Sequence, residues 1–340
     1  MVFSRRNLLA LAAFAVLQSG ANAAEEVNVY SYRQPELIDP LFAQFTKETG
    51  IQVKTIFAEK GLIERMEQEG ALSPADILMT ADVSRLVDAA DKNLAQPVEL
   101  PAILDKVPAS LRDTGNQWFG LTMRARVVYA SRKRVTDEKL SYEDLADPKW
   151  KGKICLRPGN HPYNLGLIAA VIAHKGEAAA KEWLTGLKAN LAIKPSGNDR
   201  EQAKSVFAGE CDLAIANTYY MGVMQNNEKD PNQKEWAKSA RIIFPASAEM
   251  GTHVNVSGML LAKNAPHKDN ALKLMTYLAS DAAQKLYANG NFEYPVNPAV
   301  PASETVVSWG SFTPDNLNVA EIAKFEKTAA KLVDEVQFND

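Results

Sequence analysis

The sequence predicts an α/β protein of two lobes, joined by strands that cross between the lobes and act as a hinge. Three observations predict it. At 340 residues the chain is too long for one ordinary core. Apolar runs of strand length alternate with segments of helical period, the pattern of strand–helix units on a largely parallel sheet. No low-complexity linker interrupts the chain, so the passage between lobes falls on structured strands.

Residues 1–23 read as a targeting segment. Arg5 and Arg6 form a twin-arginine start, Leu8 to Leu17 is a short apolar run, and Ala21-Asn22-Ala23 is a small-residue cleavage site. An ordinary secretory signal is the alternative. No later segment approaches 18 consecutive apolar residues, so no stable membrane insertion is expected. Cleavage removes two arginines and no acid, which takes the formal charge from −3 to −5 and argues against a nucleic-acid partner. The two cysteines, Cys155 and Cys211, form an even pair in an exported chain, which points to a disulfide. Two buried thiols or soft-metal ligands are the alternatives.

The elements follow in order. Val27 to Ser31 alternates as a first strand, and Tyr32-Arg33-Gln34-Pro35 is the loop at its end. Leu37 to Thr49 has helical spacing and stops at Gly50. Ile51 to Ile56, then Ala75 to Thr80, are strands, with helices over Leu62 to Gly70 and Val83 to Lys92. Trp118 to Ala130 is the crossing strand. Ser141 caps a short helix. The second lobe then runs through a strand at Lys153 to Leu156, helices at Asn164 to His174, Ala178 to Lys188 and Glu201 to Phe207, and a strand at Cys211 to Ala216. Strands at Arg241 to Pro245 and Val254 to Ala262 lead back to the first lobe, and helices at Asn270 to Ala279 and Asp281 to Ala288 follow. Val319 to Glu335 reads as one long terminal helix. The first lobe is thus residues 24–122 plus about 247–300, and the second 123–246 plus about 301–340.

Ligands of such lobes bind at the carboxyl ends of strands. Tyr32, Tyr163 and the pair Tyr219–Tyr220 follow three separate strands and face one cleft, although a lone Tyr-Tyr pair more often packs in a core. Tyr129, Tyr142, Tyr277 and Tyr287 lie within elements and read as packing residues. Four phenols suit a small, hard cation, since such ions favour oxygen donors. Zinc sites use Cys and His instead, and the chain has four His without paired spacing. Four tyrosinates exceed the charge of one Fe³⁺ by one. Arg33, Arg124 and Arg126 are placed to offset that excess or to hold an oxyanion. A solute or oxyanion held by these arginines is the competing reading. No nucleophile elbow or phosphate loop is present to support an enzyme.

These stretches carry a resemblance. Val29-Tyr30-Ser31-Tyr32-Arg33, Trp118-Phe119-Gly120-Leu121, Asp147-Pro148-Lys149-Trp150, Gly159-Asn160-His161-Pro162-Tyr163-Asn164 and Asn217-Thr218-Tyr219-Tyr220 resemble those of periplasmic ferric-ion-binding proteins, the binding subunits of iron(III) ABC importers. The resemblance implies a two-lobed, transferrin-like periplasmic-binding-protein fold of type II and a monomer in the periplasm. It further implies Fe³⁺ held by Tyr32, Tyr163, Tyr219 and Tyr220, with carbonate or another synergistic anion, and delivery to an inner-membrane ABC permease. There is one departure. Part of the family has a histidine before the first ligand tyrosine, and this chain has Ser31, which leaves the fifth position to water, an anion or nothing. His161 is a weaker substitute.

Overall fold

The computed structural model describes residues 25–340, so the targeting segment with Arg5 and Arg6 lies outside the described residues. The strands are β1 (Glu26–Ser31), β2 (Gln52–Phe57), β3 (Ile77–Thr80), β4 (Ala95–Gln96), β5 (Trp118–Ser131), β6 (Ile154–Cys155), β7 (Leu213–Asn217), β8 (Ala240–Ile243), β9 (Val254–Ala262) and β10 (Tyr294–Pro295). The helices are α1 (Pro35–Thr49), α2 (Leu62–Glu69), α3 (Val83–Asp91), α4 (Pro101–Leu104), α5 (Pro162–Lys175), α6 (Glu177–Ala189), α7 (Asp199–Ala208), α8 (Thr218–Gln225), α9 (Asn232–Ser239), α10 (Lys268–Ala279), α11 (Asp281–Asn291), α12 (Glu304–Val307), α13 (Val319–Ala323) and α14 (Glu326–Glu335).

Strand order is β2-β1-β3-β9-β5-β7-β6. β1 runs parallel to β2 and β3, and β6 runs parallel to β7. Parallel neighbours need long crossovers, and α1, α2 and α7 supply them. The centre is antiparallel and belongs to β5. Its first half, Trp118–Ala125, pairs with β9, and its second half, from Arg126 or Val128 onward, pairs with β7 and β8. Thirteen of its fourteen residues are buried, which explains its nearly unbroken apolar run. Gly120 faces Gly258 across β5 and β9, and the register shifts between Gly120 and Thr122. A Cβ on Gly258 would lie 2.5 Å from the Phe119 carbonyl oxygen, so the crossing strands approach too closely there for any side chain.

One buried cluster surrounds β1, β3 and β9 and extends through β5 to Cys155, Cys211 and Met224. A second lies around Val128, Ile154, Leu167, Ile215 and Leu332 under α5, α6 and α14. The terminal segment differs from the expected single helix. It breaks at Lys324–Phe325, and the two pieces face different neighbours. α13 packs against both α3 and α5, whereas α14 packs on α5 and α6. One straight rod cannot bury Val319 and Ile322 and also Leu332 and Val333 against these surfaces. Among the described residues, no helix is long and apolar enough to cross a membrane.

Cys155 and Cys211 form a disulfide, with Cα atoms 5.9 Å apart and a separation of 56 residues. It ties the end of β6 to the residue pair preceding β7. A loop of this length restricts the unfolded chain considerably. Replacing both cysteines with serine should lower the unfolding free energy by about 2–4 kcal/mol. The urea midpoint of the variant against the oxidised protein checks this.

Candidate metal centre

The centre is built on two helix starts. β7 ends at Asn217, whose backbone is extended, and α8 begins at Thr218. Thr218 Oγ1 accepts the Ala125 N–H at 3.2 Å, and Tyr129 Oη donates to the Asn217 carbonyl at 2.8 Å. Both contacts fix α8 against the crossing strand. Tyr219 and Tyr220 thus fall in the first turn, with stacked rings 4.1 Å apart. The second start is α5. His161 caps it, Nδ1 accepting the Tyr163 N–H at 3.2 Å, and Pro162 occupies the first helical position. Tyr163 therefore also stands in a first turn. Its hydroxyl lies 3.3 Å from that of Tyr219. The structure brings Tyr163, Tyr219 and Tyr220 together.

Arg126 lies beneath them. Its Nη1 pairs with Asp199 Oδ2 at 2.7 Å and donates to Asn217 Oδ1 at 3.2 Å, while Nη2 donates to Asn164 Oδ1 at 2.7 Å. Asp199 is fully buried and also accepts the Asn217 N–H at 2.8 Å and Arg157 Nη1 at 3.2 Å. One guanidinium and one carboxylate thereby position both helix starts. Three guanidinia surround the Tyr163 ring, with Arg157, Arg124 and Arg126 at 5.2, 5.6 and 5.9 Å from its centroid. Arg200 stands 5.9 Å from Tyr220. Arg157, Asp199 and Arg200 were not anticipated from sequence. A signal existed for two of them. Asn198-Asp199-Arg200-Glu201 is a capping box, observed with both reciprocal bonds, and it places Asp199 and Arg200 at the mouth of α7.

Tyr32 lies apart from this group in hydrogen bonding. Its hydroxyl accepts the Ile63 N–H at 2.9 Å, at the start of α2, and Arg85 stacks 4.0 Å over its ring. Ser31 turns inward, its hydroxyl bonding the Arg33 backbone, so it offers no donor to the cleft. Arg33 pairs with buried Glu293 through both Nη atoms at 3.3 and 3.2 Å. Burial opposes its charge, but Glu293 first, then Tyr287, Tyr219 and Tyr163, favour it, and the net push is upward, so Arg33 stays charged. Arg124 reaches the Ala81 carbonyl and Ser257 Oγ. All three expected arginines thus have protein partners, and the charges of Arg33 and Arg126 are balanced by Glu293 and Asp199. His161 is a poor ligand here, because Nδ1 is engaged as the cap and the neutral ring then carries its proton on Nε2. Burial, then Arg157 and Arg126, hold this ring neutral by pushing it down to about 4.

The phenols resist ionisation. Burial, then Tyr163 and Tyr220, push Tyr219 well up, and burial with Tyr163 and Asp199 pushes Tyr220 to about 12 against the opposing pull of Arg157. Burial also raises Tyr32, opposed by the Ile63 N–H and Arg85. These groups are neutral at pH 7 until a cation displaces their protons. Among the described residues no group of three or more His, Cys, Asp or Glu is placed to hold a metal.

A family model described as bacterial extracellular solute-binding protein matches residues 57–313. The chain belongs to that family. It is a periplasmic binding protein, not an enzyme. The Mannheimia haemolytica ferric iron-binding protein A, solved in an open conformation, is similar at 50% identity and TM-score 0.88, over 93% of this chain and all of that one. A Trichodesmium protein solved with iron and citrate ligands is similar at 41% identity and TM-score 0.88, over 92% and 99%. Iron uptake protein A1 of a Synechocystis strain is 41% identical over 92% of this chain and 87% of its own length. The α/β architecture of this solute-binding protein is therefore that of solved ferric-binding proteins.

Two outcomes follow from the buried charges. Asp199→Ala leaves buried Arg126 and partly buried Arg157 without that counter-charge and should cost about 3–5 kcal/mol of stability in urea unfolding. Burial, then Arg126 and Arg124, push His253 down to about 3. The unfolded ring titrates near 6.5, so the unfolded state binds the proton first and stability falls as pH drops from about 6.5 toward 3. Urea midpoints at pH 7.5, 6 and 5 should decline, and His253→Gln should flatten the decline.

Proposed function

We propose that this solute-binding protein holds ferric iron between its lobes as a tyrosinate complex and delivers it to an inner-membrane ABC permease. The observation that carries the proposal is the convergence of Tyr163, Tyr219 and Tyr220 at two helix starts beside a set of guanidinia. A ligand cage of phenols suits a hard, high-valent cation, and the iron in the names of its relatives agrees with it.

The second-lobe tyrosines capture the ion first. Each phenol gives up its proton to become an anionic donor, and the arginines offset the charge that accumulates. The lobes then close about β5 and β9, where the facing glycines lie, and Tyr32 leaves the Ile63 N–H to join as fourth ligand. With Ser31 turned inward, a synergistic anion such as carbonate completes the shell, and Arg124 and Arg157 stand beside Tyr163 to receive it. The closed form is the one a permease reads.

Titration with ferric citrate at neutral pH tests this. A tyrosinate-to-iron charge-transfer band should saturate at one equivalent. Loss of a ligand should cost more than the about 10–100-fold typical of groups outside the ligand set, so Tyr219→Phe and Tyr220→Phe should each weaken binding by at least about 100-fold. Iron binding should release about one proton per tyrosinate, so apparent affinity should fall by about tenfold per pH unit for each proton released. A folded protein without the band sinks the proposal.

A further inference from the structure

We propose that Phe292 and Glu293 form a wedge that sets the spacing between the Tyr32 loop and the helix carrying Tyr219 and Tyr220. The inference rests on the tyrosinate reading above. α11 ends at Phe292 with φ 55° and ψ 33°, a left-handed cap that glycine usually fills. A bulky residue persists in that conformation only where its surroundings over-determine it. The surroundings are two-sided.

On one side stands Gly222, in α8 and three residues after Tyr219, hence on the same helical face. A Cβ built on Gly222 would lie 2.6 Å from Phe292 Cβ and 2.8 Å from Cδ1. The ring of Phe292 therefore occupies the notch that the missing side chain leaves. On the other side the left-handed turn sends Glu293 back into the first lobe. Its buried carboxylate accepts both Nη atoms of Arg33, next to Tyr32, and the hydroxyl of Thr122 on β5. Arg33 in turn lies 5.5 Å over the ring of Tyr287, on the helix that Phe292 terminates. The next residues, Tyr294 and Pro295, pair with Met123 and Thr122 of the crossing strand. Four consecutive residues thus touch the helix of one ligand pair, the neighbour of another ligand, and the strand shared by both sheets. Phe292 meets Gly222, and Glu293 bonds Arg33 and Thr122, so both act through other residues as positioning residues.

The test uses Gly222→Ala, Phe292→Gly and the double variant. Small-angle scattering of the iron-free proteins reads lobe spacing without reference to any metal. Gly222→Ala should enlarge the radius of gyration, and adding Phe292→Gly, which removes the Cβ as well as the ring and suits the left-handed backbone, should restore it. In ferric titrations Gly222→Ala should bind at least tenfold more weakly with a shifted charge-transfer band. The double variant should return within threefold of the starting affinity and recover the band position. A purely structural defect would lower melting temperature without moving the band and would worsen in the double variant. If Gly222→Ala does not fold, Phe292→Gly alone decides, through a changed scattering profile and a shifted band. Unchanged scattering and band in the folded variants, or no rescue in the double, overturns the wedge. A starting protein that shows no iron band instead sinks the ferric reading, and the scattering comparison still judges the wedge.

Discussion

One buried ion pair holds the centre together. Arg126 on β5 and Asp199 at the start of α7 are both nearly inaccessible to water, and each also bonds a helix start. Arg126 holds Asn217 and Asn164, and Asp199 holds the Asn217 amide and Arg157. Remove either charge and the other is stranded in a low-dielectric interior, which is costly. The benefit of the pair is therefore positional. It makes the spacing between α5 and α8 a property of β5, the strand that belongs to both sheet halves.

That spacing explains the chemistry. Tyr219 and Tyr220, gathered with Tyr163 in a half-buried site, ionise with difficulty on their own, because burial and the neighbouring phenol groups push both upward. The same crowding favours a small cation of high charge, because one ion relieves several unfavourable ionisations at once. The surrounding guanidinia lower the electrostatic cost of the resulting anions. They are rigidly held by carboxylates and carbonyls, so they act as a fixed field and not as mobile counter-ions.

Much of this was legible in the chain. Strand–helix alternation and the rule that ligands gather at strand ends were enough to single out Tyr32, Tyr163, Tyr219 and Tyr220. The crossing strand was legible because burial on both faces makes it long and rich in apolar residues, interrupted chiefly by Thr122, Arg124 and Arg126. What stayed hidden is long-range pairing. Arg33 meets Glu293 across 260 residues, and no local pattern announces such a partner. Arg157 looked like one more charged residue after a short strand, and Arg200 belonged to a capping box whose importance depends on what lies opposite it. The break between α13 and α14 escaped because periodicity continues through Lys324–Phe325, while tertiary packing divides the segment between two surfaces.

The proposed complex depends on phenolate oxygens bound to iron. Resonance Raman spectroscopy, excited within the visible band of the iron-loaded protein, addresses that bond most directly. The account predicts tyrosinate ring modes that weaken stepwise in the Tyr163→Phe, Tyr219→Phe and Tyr220→Phe variants. Loaded protein with no tyrosinate modes, or with modes untouched by all three substitutions, would contradict it.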